Sequence, residues 1–209
     1  MNRIYVTLTG LWSKIVFLLM VFSFSGGVAY SSPIQWSGNE GNGHWYEVVR
    51  LQERNLQDMT WEAACNYASG LTYGGFQGHL VTITSEGEDT FIVGNLVEDS
   101  DSWIWLGGYQ TPEGGNEPDE NWHWVTGETW SYTNWDWDEP NDYLGVEESY
   151  LMMWGYEGDI APGTWNDTSN DPKSILIVEY DQPTPAPEPA SLLLLSSGLI
   201  VFAYRLRKD

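Results

Sequence analysis

The chain has 209 residues and a formal net charge of −22 at pH 7, from 30 acidic and only 8 basic side chains. Just Arg50, Arg54 and Lys173 fall between residues 35 and 180, so this stretch has no basic surface with which to displace counterions from nucleic acid. A single cysteine, Cys65, excludes an intramolecular disulfide, while 13 Trp and 12 Tyr supply ample apolar surface for one core.

In chain order, Arg3 and Lys14 precede an apolar run over residues 15–24 and then the small residues of 25–31. That order reads as a secretory signal peptide, residues 1–31, cleaved near Ser31; the run is short for a retained anchor. One domain is expected over residues 35–180. Residues 45–49 read as a strand from their aromatic and β-branched content. Thr60 offers a cap to a short helix reaching Ala68, closed by Gly70 and Gly74-Gly75. Residues 79–83 alternate as a strand, Ser85 starts a second helix with an acidic first turn, and residues 103–107 form another strand. The remainder reads as mostly loop. Trp122, Trp124 and Trp135 are expected to fill a core that has few regular elements. His44, His79 and His123 share no motif and read as core or surface residues.

Residues 138–167 concentrate oxygen donors: Glu139, Asn141, Glu147, Asn166 and Asp167. No Cys or His is near them in sequence, which argues against zinc or copper and for calcium, an ion that takes six to eight oxygens in loose geometry. Without a cation, clustered carboxylates would repel one another.

Glu139-Pro140-Asn141, Glu147 eight positions after Glu139, and Trp165-Asn166-Asp167 resemble the sugar-binding calcium site of the C-type lectin domain. Trp61-x-x-Ala64, Gly78-His79-Leu80-Val81-Thr82-Ile83, Ser85-x-x-Glu88 and Trp103-Ile104-x-Leu106-Gly107 extend the resemblance over nearly the whole domain. The resemblance implies an α+β C-type lectin fold, in which two short helices flank small antiparallel sheets and a long loop-rich half binds calcium and sugar. It implies Ca2+ ligated by Glu139, Asn141, Glu147, Asn166 and Asp167, a cis Glu139–Pro140 bond, and vicinal sugar hydroxyls of the mannose or glucose type. Sugar would meet Glu139, Asn141, Glu147 and Asn166, with Trp137 as a stacking candidate. An auxiliary metal site would draw on Asp142 and on Asp119, in an acidic insertion over 113–120. The family's bridging cysteines correspond here to Ala68 with Val178 and Ser149 with Asn170, so the fold must do without disulfides.

Residues 181–189 form a Pro-rich linker containing Pro187-Glu188-Pro189; residues 190–204 are apolar, and Arg205-Leu206-Arg207-Lys208 follow. This order resembles the PEP-CTERM sorting signal. It implies recognition by exosortase, a transient stay in the inner membrane, and a final place at the cell surface or in the extracellular matrix. The expected function is calcium-dependent carbohydrate or exopolysaccharide binding. The alternative is a lectin-fold adhesin that binds protein and uses calcium structurally. A hydrolase using Glu147-Glu148 is disfavoured, because the carboxylates are accounted for as ligands and no nucleophile–His–acid set occurs.

Overall fold

The computed structural model describes residues 31–111, 118–156, 158 and 160–181. The expected signal peptide up to residue 30, the linker from residue 182 and the hydrophobic tail lie outside the described residues, as does most of the acidic insertion. Among the described residues no helix is long and apolar enough to cross a membrane.

Both expected helices form where their caps place them. The Thr60 hydroxyl accepts from the Ala63 amide to start α1 (Trp61–Ser69), and Ser85 accepts from Glu88 to start α2 (Glu86–Leu96). Trp61, Ala64 and Ala68 give α1 a buried stripe at helical spacing. The strands are β1 (Ile34–Gln35), β2 (Trp45–Arg50), β3 (Thr72–Tyr73), β4 (Phe76–Leu80), β5 (Trp103–Gln110), β6 (Trp122–Trp124), β7 (Tyr150–Trp154), β8 (Trp165–Thr168) and β9 (Ile175–Tyr180).

Two expectations need correction. The strand placed at 79–83 begins earlier and ends at Leu80; beyond it Val81 bonds singly to Ile177 and Gly107. The half expected to be mostly loop also contains β6 to β9. The sheet runs β1-β2-β9-β5-β7-β8, with β4 also on β9 and β6 on β5. A parallel pairing of Ile104–Trp105 with Ile175–Leu176 joins what would otherwise be separate antiparallel pieces into one mixed sheet.

Strand alternation sends side chains into two cores. Ile104, Leu106, Ile175 and Ile177 pack with Ile92, Trp124 and Trp165 on one face; Trp105, Leu176 and Val178 pack with Trp61 and Leu80 on the other. The missing bridges are replaced differently. Ala68 and Val178 are both fully buried and close over Gly78, where an added Cβ would lie 2.8 Å from the Ala68 carbonyl and from Val178. At the second pair, Asn170 Oδ1 accepts from the Trp61 amide at 2.8 Å, and Asn170 Nδ2 donates to Glu62, so a side chain holds the start of α1. Asp101, buried, receives two hydrogen bonds from Arg50 at 2.7 and 2.6 Å.

Asp89 on α2 is buried, and burial pushes its carboxyl up to about 6 despite hydrogen bonds from Asn134 and Tyr132. The folded state therefore holds this proton more tightly than the unfolded state. Its contribution to stability is complete below the unfolded value near 4 and is lost as pH rises through about 6. Urea unfolding between pH 4 and 7 should show Asp89→Asn free of this loss, gaining about 3 kcal/mol on the wild type by pH 7. Parallel pH profiles for the two proteins would contradict it.

Candidate functional site

Register on the sheet fixes the floor of the site. Leu151 faces Asp167 and Met152 faces Asn166 across β7 and β8. The preceding loop is tied to β8 by the Trp165 amide on the Asn134 carbonyl (2.8 Å) and the Asp136 amide on the Trp165 carbonyl (2.9 Å). Asp138, with φ of 66°, then turns the chain, and the Glu139–Pro140 peptide is cis.

Asp167 organises the loop beyond this turn. It is 0 % exposed, and its carboxylate accepts the Asn141 amide at 3.1 and 3.0 Å and the Asp142 amide at 2.9 Å. Farther along the loop, Asp142 Oδ1 accepts the Glu148 amide (3.0 Å) and Glu148 Oε2 accepts the Tyr143 amide (2.8 Å). The loop is thus folded back by its own carboxylates.

These elements enclose a cavity of ≈ 470 Å³ lined by Glu139, Asn141, Glu148, Asn166, Trp103 and Lys173, among others. Two buried oxygens there, Glu139 Oε2 and Asn141 Oδ1, have no hydrogen-bond partner. Burial, then the hydrogen bond and charge of Asp167, then Glu148 and Asp136, push the Glu139 carboxyl up to about 8. Burial also raises Glu148. Asn166 Nδ2 meets the Asp167 backbone carbonyl. Lys173 is held over the rings of Trp105 (4.6 Å) and Trp103 (5.1 Å), and burial lowers its pKa. Orphaned oxygens and carboxyls driven up by one another are what a hard divalent cation would relieve, so the donor set fits calcium.

The structure brings Glu139, Asn141, Asn166 and Asp167 together. Glu147 stands apart: its carboxylate accepts the Ser149 hydroxyl at 2.6 Å, its side chain is exposed, and its neighbour Glu148 lines the cavity. Asp142 lies on the same loop, whereas Asp119 is exposed on the turn that ends the insertion and does not line the cavity. Trp137 is 88 % exposed beside the loop; Trp122 and Trp124 are buried and Trp135 packs against them. Sequence reasoning missed Glu148, because an adjacent acidic pair does not reveal which member turns inward. It also missed that His44 and His79 come together at Asp181, since one precedes β2 and the other lies on β4, far apart in sequence.

A model of the lectin C-type domain matches residues 57–177, and a model of the PEP-CTERM protein-sorting motif matches residues 185–208. One subunit of the snaclec coagulation factor IX/factor X-binding protein from Trimeresurus stejnegeri is 31 % identical over 134 residues, covering 63 % of this chain and 79 % of its own. C-type lectin CEL-I from Cucumaria echinata aligns with a TM-score of 0.53 at 23 % identity, over 71 % of this chain and 96 % of its own. The carbohydrate-recognition domain of cow CD23, solved in the presence of an oligosaccharide, gives 0.52 at 20 % identity over 75 % and 100 %. These relatives are lectin-fold binding proteins rather than enzymes.

Proposed function

The chain belongs to the C-type lectin domain family, and on that premise we propose that it is an exported, calcium-dependent carbohydrate-binding protein. The observation that carries this reading is the pair of orphaned oxygens on Glu139 and Asn141 above a buried Asp167. Glu139, Asn141, Asn166 and Asp167 would hold the ion, with Glu147 as a further ligand once released from Ser149. Bound calcium supplies a Lewis-acidic centre for two vicinal sugar hydroxyls. Glu139 can only accept hydrogen bonds from those hydroxyls, while the Asn141 and Asn166 amides can donate. The Glu-Pro-Asn order favours mannose- or glucose-type sugars. An auxiliary cation at Asp142 and Asp119 would need Asp119 to swing in from its exposed turn. The sorting motif at 185–208 implies exosortase recognition, secretion and processing at the membrane, with exopolysaccharide as the natural ligand class.

The test is a glycan array on the full-length chain in detergent, with calcium and with EDTA. Mannose- or glucose-type binding that disappears in EDTA and is lost or altered in Asn141→Asp is expected. Strictly galactose-type or calcium-independent binding would reject the reading. Trp137→Ala should weaken sugar binding about 2–10-fold, the effect of roughly 0.5–1.5 kcal/mol for one aromatic contact; an unchanged titration would remove Trp137 from the site.

A second reading, a protein-binding adhesin, is favoured by one observation: Tyr143, Leu144 and Val146 expose an apolar strip on the same loop, Leu144 to 85 %. Free mannose that competes with the natural ligand supports the first reading, and indifference to mannose supports the second.

A further inference from the structure

At the far end of β9 a second polar cluster forms, and none of its residues lines the cavity described above. β9 lies between β2 and β4, and Glu179 faces Tyr46 on one side and His79 on the other. His44 immediately precedes β2, and Asp181 immediately follows β9. Three strands therefore deliver two imidazoles and two carboxylates to one point.

The distances are short. His44 Nδ1 lies 2.7 Å from Glu179 Oε1 and 3.3 Å from Asp181 Oδ1, and His79 Nε2 lies 3.0 Å from the same Asp181 oxygen. One ligand atom each from His44, Glu179 and Asp181 falls within mutual separations of 4.8 Å. His79 Nε2 and Asp181 Oδ1 are buried atoms that face each other as an ion pair, outside the alignment of an ordinary hydrogen bond.

The surrounding groups are placed as metal ligands require. His79 Nδ1 sits 2.8 Å from the Leu80 carbonyl, which fixes the proton on that nitrogen and leaves Nε2 free to ligate. Glu179 Oε2 accepts from the Thr82 amide (3.0 Å) and hydroxyl (3.1 Å), which orients Oε1 toward His44. Glu88 adds further negative charge acting on His44. Four-coordinate zinc, with bonds near 2.0–2.1 Å, spaces its ligand atoms by about 3.3 Å. The separations among His44, Glu179 and Asp181 need only small adjustments to reach that spacing, whereas His79, which approaches through Asp181 alone, would have to move in as the fourth ligand.

We infer that His44, His79, Glu179 and Asp181 form a binding site for a divalent transition metal of the zinc class. Two imidazole nitrogens with two carboxylate oxygens select zinc over calcium, which takes oxygen alone. The site is independent of the oxygen-only cavity. Asp181 opens the Pro-rich 181–189 stretch, so the metal would tie the root of that stretch to β2 and β4. In a chain with one cysteine, this is a cross-link that needs no thiol.

The test is calorimetric titration of the chelator-stripped, full-length chain in detergent with ZnCl2, in the presence of saturating CaCl2. One Zn2+ per chain is expected, with affinity falling at least tenfold in His79→Ala and in Asp181→Asn and unchanged in Asn141→Asp. Co2+ should give the intense visible absorption of a four-coordinate N/O site, absent from both site variants. Asp181 is partly exposed, so Asp181→Asn carries the test if His79→Ala misfolds by circular dichroism. Absence of stoichiometric zinc binding, or affinity that Asp181→Asn leaves intact, overturns the inference. So does loss of zinc binding in Asn141→Asp, which would place the ion in the other cavity.

Discussion

Asp167→Asn is expected to abolish calcium-dependent sugar binding, lowering apparent calcium affinity by a hundredfold or more. The reason lies in the double duty of this side chain. It would offer the most deeply buried charge to the cation, and it accepts the Asn141 and Asp142 amides that shape the loop. An amide at this position removes the charge and turns one acceptor into a donor facing a backbone N–H. For a domain of the weak extracellular type, with Kd of about 10⁻⁴–10⁻³ M, 10 mM calcium should stabilise the wild type by roughly 1.4–2.7 kcal/mol. The variant should show no calcium-induced shift in urea midpoint. Its stability in EDTA should fall less than loss of two buried hydrogen bonds would suggest, because the substitution also relieves the repulsion that raises Glu139. A variant that keeps the calcium-induced shift would show that Asp167 shapes the loop without holding an ion.

The second large effect concerns the aromatic side chain two positions earlier. Trp165→Ala should destabilise the domain by about 3–5 kcal/mol, the range for deleting a buried aromatic. Trp165 is fully buried, and its ring meets Trp124 at 5.7 Å, Trp130 at 5.9 Å, Tyr132 at 5.6 Å and Trp135 at 6.0 Å. Its backbone also anchors the loop at Asn134 and Asp136. The variant should therefore lose calcium response before it unfolds, with calcium-induced stabilisation reduced even at low urea. Trp165→Phe should recover much of the stability. A cost below about 1 kcal/mol for the alanine variant would mean that the aromatic cluster is not cooperative.

The helices were legible because their starts are written locally: Thr60 and Ser85 carry the capping oxygen in their own side chains. The candidate loop was legible because Glu139, Asn141, Asn166 and Asp167, which keep the order of a known site, also come together in the fold. Three features were not. The parallel contact of β5 with β9 has no local signature, since each strand reads the same whichever neighbour it finds. The inward turn of Glu148 goes with its bond to the Tyr143 amide, in a turn where Asp142 and Leu144 adopt φ of 46° and 59°. The meeting of His44 with His79 depends on both strands flanking β9. The β9 segment itself, Ile175–Tyr180, carries the β-branched and apolar content of a strand, a local signal overshadowed by the Gly-, Asp- and Trp-rich stretches before it.

The placement of β9 has an implication for biogenesis. The last of the described strands pairs with β2, β4 and β5, so neither core can close around it until almost the entire domain has been synthesised. Until then the earlier strands must wait, with β2 offering the edge that β9 will cover.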